Sequence, residues 1–138
     1  MMKYIIRRYP LSCMCICIVW VLSLVPVFPE TPLDNISFID KWTHLAMYGV
    51  TSAIIWWEYL RHHMKSAHHP TTKMVYKRII LYAVIAPIVM GGVLELLQRY
   101  CTGGRRSGEW LDFIADSVGV LLVFPFAMFL AKKIASKH

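Results

Sequence analysis

The sequence is poor in charge. Of its 138 residues only 17% are charged, whereas 57% are hydrophobic. This balance excludes an ordinary soluble domain, in which about a quarter of the residues are charged. A chain this short, with loops of a few to about twenty residues, has room for only one compact unit. The composition therefore predicts a single integral membrane domain over residues 1–138.

Several informative signatures are also missing. There is no HExxH motif and no cysteine pair at metal-ligand spacing, so no sequence motif indicates a zinc site. Cys101 has no second cysteine on its predicted side of the membrane, and no intramolecular disulfide is inferred. The first apolar stretch is not followed by a small-x-small cleavage pattern, which favours an uncleaved anchor over a signal peptide. The absence of an internal repeat argues against a monomeric transporter.

Four apolar segments are each close to the roughly 20 residues that cross the hydrocarbon core of a bilayer. They run over about residues 9–28, 40–60, 79–98 and 110–131. This pattern predicts an all-α fold, an integral membrane four-helix bundle. Pro87 and Pro125 fall inside the last two segments and predict kinks or local unwinding. Gly91 and Gly92 allow close helix packing in the third segment.

The charges divide unevenly between the two ends of these segments. Eleven of the fifteen lysines and arginines gather at one end, and seven of the eight acids at the other. The positive-inside rule makes the basic end cytoplasmic, together with both termini. Attraction of the inner lysines to anionic membrane lipids then explains the net charge of +7, and nucleic-acid binding gains no support. The inner histidines are interpreted as parts of a solvated basic loop, with a metal-binding tract as the alternative: His62, His63, His68 and His69.

Each of the three later segments carries polar residues about one helical turn below the predicted outer surface. An ionisable group costs about 2.5 to 3.5 kcal/mol at mid-membrane on insertion scales, so these groups are expected to turn inward and pair. The pattern predicts one polar cavity, open to the outside and lined by three helices. The residues concerned are Asp40, Lys41, His44 and Tyr48 in the second segment, Glu95, Gln98 and Arg99 in the third, and Asp112 and Asp116 in the fourth.

Asp116 and His44 are the strongest candidates for a functional role. Asp116 lies beyond the first turn of its helix, where the helix dipole no longer explains an acid. It is either a functional acid or one half of a structural ion pair with Arg105 or Arg106. His44 is either a general base oriented by Asp40, or a structural histidine bonded to Asp40 or to a backbone carbonyl.

The remaining polar residues have both functional and structural interpretations. Glu95 is a candidate acid or ligand, and Gln98 suits a hydrogen bond between helices. Asp112 either complements the helix dipole or belongs to the site. With His44 and Asp116, these acids offer the imidazole and oxygen ligands that suit Zn²⁺ or Mn²⁺. No cofactor is assigned, and a divalent cation is kept as an alternative.

Two stretches, DKWTHLAMY and ELLQRYCTGGRRSGEWLDFIADSVG, resemble the VanZ-like family of small bacterial membrane proteins. The resemblance covers Phe38 to Val123. Asp116 departs from the pattern, because the family more often has asparagine there, and the change adds a second acid. The resemblance implies a location in the bacterial cytoplasmic membrane and an association with resistance to the glycopeptide teicoplanin, but no substrate. The matching positions are Asp40, Lys41, His44, Tyr48, Glu95, Gln98, Arg106, Asp112 and Gly119.

Two functions of different classes follow. In the first, the chain is a binding or accessory protein of the cell envelope that recognises a lipid, cell-wall or glycopeptide-type headgroup, with Arg105 and Arg106 holding phosphate or carboxylate. In the second, it is an enzyme that hydrolyses or transfers the headgroup of a lipid-linked substrate. His44 would act as base, Arg106 would stabilise negative charge, and Asp116 or Glu95 would act as acid. The first is preferred because no nucleophile is evident, and the sequence does not indicate an oligomeric state.

Overall fold

The computed structural model describes residues 1–24, 37–64, 72–101 and 110–135, and these residues contain helices and no strand. The all-α prediction is therefore confirmed for the described part of the chain. The elements are α1 (Met2–Arg8), α2 (Pro10–Leu24), α3 (Ser37–Met64), α4 (Thr72–Ile80), a π-helical segment (Leu81–Ile85), α5 (Ala86–Cys101) and α6 (Trp110–Ala135).

Two helices are long and apolar enough to cross a membrane: Tyr76–Cys101 and Trp110–Lys133. A third span is reached if α1 and α2 are counted together, although they meet at an angle of 105°. At 28 residues α3 is long enough, but polar and aromatic residues along its length keep its mean hydropathy low, and it is not among these spans. Among the described residues, two of the four predicted spans are thus supported, and a third is supported if α1 and α2 together form one span.

The first predicted segment is divided at its start. Tyr9 leaves the helical region, with φ −129° and ψ 59°, because the ring of Pro10 disfavours a helical conformation at the residue before it. Residues Met2–Arg8 therefore form a helix of their own, and α2 begins at Pro10, close to the predicted start at Tyr9. The predicted end near Phe28 lies outside the described residues.

The helix that contains Pro87 is adapted to this proline. Pro87 has no N–H, so the carbonyl of Ala83 loses its α-helical donor. The backbone forms the π-helical segment Leu81–Ile85 here, and the Ser52 hydroxyl of α3 donates to the Ala83 carbonyl over 2.6 Å. The predicted local unwinding is confirmed at Pro87, whereas α6 remains helical through Pro125.

Among the described helices, α3 and α6 share the most extensive contact, and glycines bring their backbones together. A Cβ on Gly119 would overlap the carbonyl oxygen of Leu45, and a Cβ on Gly49 would lie 3.3 Å from the carbonyl oxygen of Gly119. Small residues allow such approach between helices. Because Gly49 follows His44 by five residues and Gly119 follows Asp116 by three, this contact sets the two side chains at a common height.

The opposite end of α3 is tied to α2 by Glu58, which is 4% exposed. One of its oxygens accepts the backbone N–H of Leu11 over 3.0 Å. The other accepts the N–H of Ser12 over 2.9 Å and the Ser12 hydroxyl over 2.6 Å. The first N–H groups of a helix have no acceptor within it, so Glu58 caps α2 from a neighbouring helix. We call this end of the bundle the Glu58 end, and the end where α3 begins the His44 end.

His62 and His63 lie in the last turn of α3 and are half-buried. The ring of His63 stacks on Tyr59 with 3.9 Å between centroids, and His62 meets Tyr9 edge-on at 5.5 Å. Their interpretation as histidines of a solvated loop is therefore wrong, because the helix continues through both. His68 and His69 lie outside the described residues.

The apolar core lies along α3, between this helix and the faces of α2, α5 and α6 that turn towards it. Trp56 of α3 is buried and packs edge-on against Phe124 of α6, with 6.1 Å between ring centroids. Large apolar side chains such as Phe126 and Phe129 point outward from α6. An apolar exterior of this kind is what a helix in contact with lipid requires.

Candidate functional site

Three ionisable side chains from three helices meet at the His44 end: His44 from α3, Glu95 from α5 and Asp116 from α6. One possible ligand atom of each lies within 4.8 Å of the others. Asp116 is 1% exposed and His44 7%, while Glu95 is half-buried. We call these three residues the polar cluster. Their convergence, predicted from the common depth of polar groups on three helices, is confirmed.

His44 and Asp116 are in direct contact. His44 Nδ1 lies 2.9 Å from Asp116 Oδ1, so a hydrogen on Nδ1 is donated to the carboxylate. In the neutral ring, Nε2 is then the basic nitrogen. Asp116, a carboxylate from another helix, is thus in position to orient His44. The side chain of Asp40, predicted for this role, lies outside the described part, as do Arg105 and Arg106, the predicted partners of Asp116.

Gly91 lies in close contact with Asp116 and Tyr48. A Cβ at this position would lie 3.0 Å from Asp116 Oδ2 and 3.4 Å from Cε1 of Tyr48, which is buried. Gly91 precedes Glu95 by four residues, so both lie on the same face of α5. The missing side chain therefore lets α5 approach Asp116 closely, on the face that also carries Glu95.

Other predicted site residues that the structure describes lie at the same end of their helices as the cluster. Asp112 lies in the first turn of α6, one turn from Asp116. It is 4% exposed, whereas an acid that only complements the helix dipole can remain exposed at the helix end. Lys41 is half-buried at the start of α3. Gln98 Nε2 donates to the carbonyl of Ser23 over 2.8 Å, which joins α5 to the end of α2 and confirms the bridging interpretation of Gln98.

The chemistry of the cluster follows from its groups. Two carboxylates and one imidazole in a water-poor site carry excess negative charge unless a proton, a cation or a ligand compensates it. The carboxylates accept hydrogen bonds from hydroxyl or amine groups, and the His44–Asp116 pair suits proton abstraction. Imidazole and carboxylate are also ligands for divalent transition metals, and the separation of the three groups is compatible with one ion.

Comparison of the chain with protein-family models, with curated proteins and with solved structures finds no match. The resemblance to the VanZ-like family therefore stays a prediction from sequence motifs. The function rests on the geometry of the polar cluster and on the distribution of charge.

Proposed function

We propose that this chain is a multi-pass protein of the bacterial cytoplasmic membrane whose polar cluster is reached from the outer side and binds the polar headgroup of a lipid or cell-wall compound. The observation that carries the proposal is the meeting of His44, Glu95 and Asp116 from three helices. Ionisable groups inside a membrane are costly and mark functional sites by default. Their gathering at one point supports a ligand for which they are held.

The orientation follows from the charges at the two ends of the bundle. Cationic side chains collect at the Glu58 end, where three arginines line a pocket of about 530 Å³. By the positive-inside rule this end, and both termini with it, are cytoplasmic, and the four helical segments form one bundle across the membrane. Exposed aromatic residues of an interfacial belt mark the His44 end: Trp42, Tyr100 and Trp110.

The groups of the site define the chemistry of the headgroup. Glu95 and Asp116 accept hydrogen bonds from sugar hydroxyls or amines. Arg105 and Arg106, in the segment that connects α5 and α6, hold its phosphate or carboxylate by paired hydrogen bonds. Glycopeptides and the cell-wall precursors they bind present both kinds of group, so a contribution to glycopeptide resistance is part of the proposal.

A second function, catalysis, is favoured by one observation. The imidazole of His44 is oriented by a carboxylate 2.9 Å away, as a general base must be. In this alternative the chain hydrolyses or transfers the headgroup, and Glu95 acts as the acid. Replacement of His44 by alanine separates the two functions, because a binding protein keeps most of its affinity, whereas an enzyme loses turnover while it still binds.

The test is headgroup binding by purified protein in detergent. Wild type, Glu95→Gln and Asp116→Asn are compared by native mass spectrometry against a panel of envelope lipids, lipid-linked cell-wall precursors and glycopeptides. We expect one compound to bind wild type at least about tenfold more tightly than either variant, a difference of about 1.4 kcal/mol. Glu58→Gln changes a buried carboxylate at the other end and should bind as wild type does. Equal binding of every compound to all four proteins would refute the proposal.

A further inference from the structure

We infer that the polar cluster is a site for a divalent transition metal, with Zn²⁺ as the preferred ion, held by His44, Glu95 and Asp116. The inference deepens the proposed function and rests on it for the route by which a ligand reaches the site. It adds a resident ion to a cluster that would otherwise bind a headgroup through its side chains alone.

The distances allow one ion to contact all three residues. Zinc is bound by nitrogen and carboxylate oxygen at about 2.0 to 2.2 Å, so neighbouring ligands of a tetrahedral ion are roughly 3.4 Å apart. His44 Nδ1 and Asp116 Oδ1 are hydrogen-bonded at 2.9 Å, so a zinc ion bound to both atoms would take the place of the Nδ1 proton, and the two atoms would move apart by about half an ångström. The ligand atoms of the three residues lie within 4.8 Å of one another, so shifts of about an ångström in flexible side chains complete the shell.

The charges favour a cation of two positive charges. Glu95 and Asp116 contribute two negative charges when ionised, and a neutral His44 contributes none, so a divalent ion makes the group neutral overall. Asp116 is 1% exposed, and a charge at such a position is tolerated only where groups or ions of opposite charge lie close to it. The ligand types suit zinc or manganese better than calcium or magnesium, which prefer oxygen ligands alone.

Gly91 packs directly against Asp116, so the polar cluster requires a residue without a side chain at this position. A Cβ there would lie 3.0 Å from Asp116 Oδ2, which leaves no room for a larger residue. Three protein ligands also leave a fourth position open, which is the arrangement of zinc sites that bind water or a substrate oxygen and not of purely structural sites. A phosphate or hydroxyl oxygen of a headgroup suits this position.

The competing arrangement is a proton instead of a metal: an imidazolium of His44 paired with Asp116, with no ion bound. The two arrangements differ in metal content and in their response to a chelator. Wild-type protein is purified in detergent without added lipid, stripped with a chelator and dialysed against micromolar Zn²⁺ or Mn²⁺. Metal per chain is then measured by mass spectrometry, and thermal unfolding is followed with and without the chelator.

We expect one zinc ion per chain in wild type and a melting temperature that rises with zinc and falls again with the chelator. His44→Ala, Glu95→Gln and Asp116→Asn should each weaken zinc binding by more than about 100-fold, since loss of a direct ligand exceeds the effect of an outer-shell residue. A wild type without metal, or one whose metal content is unchanged in all three variants, would overturn the inference.

Two control proteins keep the result specific. Glu58→Gln alters a buried carboxylate that no cluster residue contacts, so it should lower stability and retain one zinc ion. The double variant His68→Asn and His69→Asn removes histidines that could bind zinc adventitiously, and it should also retain the ion. Metal content and headgroup binding, measured on the same protein, separate the two proposals. A wild type that binds a headgroup and takes up no zinc leaves the proposed function standing and refutes the metal site, whereas a wild type that binds zinc and no headgroup does the reverse.

Discussion

At the scale of single residues, the proposed site predicts different effects for the loss of the Asp116 charge and for the loss of its hydrogen bond to His44. Asparagine keeps an oxygen that accepts from Nδ1 and removes the charge. We therefore expect Asp116→Asn to unfold at a temperature no lower than that of metal-free wild type. Asp116→Ala removes the acceptor, so its free energy of unfolding should be about 1 to 3 kcal/mol lower than that of Asp116→Asn. Thermal unfolding in detergent and chelator measures both, and equal destabilisation by the two changes would show that the charge itself is structural.

The residues of the polar cluster were predictable from helical spacing, but their pairing was not. Spacing places His44, Glu95 and Asp116 about one turn below the same surface, and this depth is a property of each helix alone. Which carboxylate faces His44 depends on the rotation of α3 against α6. That rotation is fixed by contacts between the helices, so the sequence offered Asp40, on the same helix, as a partner of His44 and did not indicate the contact with Asp116.

At the scale of helices, the cap of α2 by Glu58 is a contribution to stability that the sequence did not reveal. Glu58 was predicted only as an acid at the basic end, since nothing local links it to Leu11 and Ser12 far away in the chain. Glu58→Ala removes three hydrogen bonds to one carboxylate and should cost about 2 to 4 kcal/mol. Chemical unfolding measures the loss. In the Ser12→Ala background the cost should be smaller, and full additivity of the two changes would contradict a shared contact.

The glycine contact between α3 and α6 should control the polar cluster from a distance. In Gly119→Ala the new methyl group meets the Leu45 backbone carbonyl, which cannot rotate away, so the two helices must separate. We expect a loss of about 1 to 3 kcal/mol of stability and weaker ligand or metal binding, although no cluster residue is changed. Gly92→Ala is the matched control, because its Cβ meets only the Phe113 ring at 3.3 Å, and a ring can move. Equal effects of the two changes would show that the contact does not position the cluster.

At the scale of the whole molecule, apolar composition predicted the helical fold, and it was less informative about the spans. Two long apolar helices satisfy length and hydropathy together, while α3 carries both the site residues at one end and Glu58 with its cationic neighbours at the other. Because α3 supplies polar groups to both ends of the bundle, its mean hydropathy does not identify it as a membrane span. Contacts with α2, α5 and α6 bury its His44 and Glu58 side chains away from lipid. Packing of this kind cannot be predicted from the local sequence.

The topology makes a prediction that labelling of intact cells can decide. Cys101 is exposed at the end of α5, on the side of the polar cluster, and that side is outside if the basic end is cytoplasmic. In a variant with Cys13, Cys15 and Cys17 changed to serine, a membrane-impermeant maleimide should label Cys101 in intact spheroplasts. A cysteine introduced by Lys137→Cys in the Cys101→Ser background should react only after the membrane is permeabilised. The reverse pattern would place the cluster in the cytoplasm, and its ligand would then have to be sought among the headgroups and metal ions of the inner leaflet.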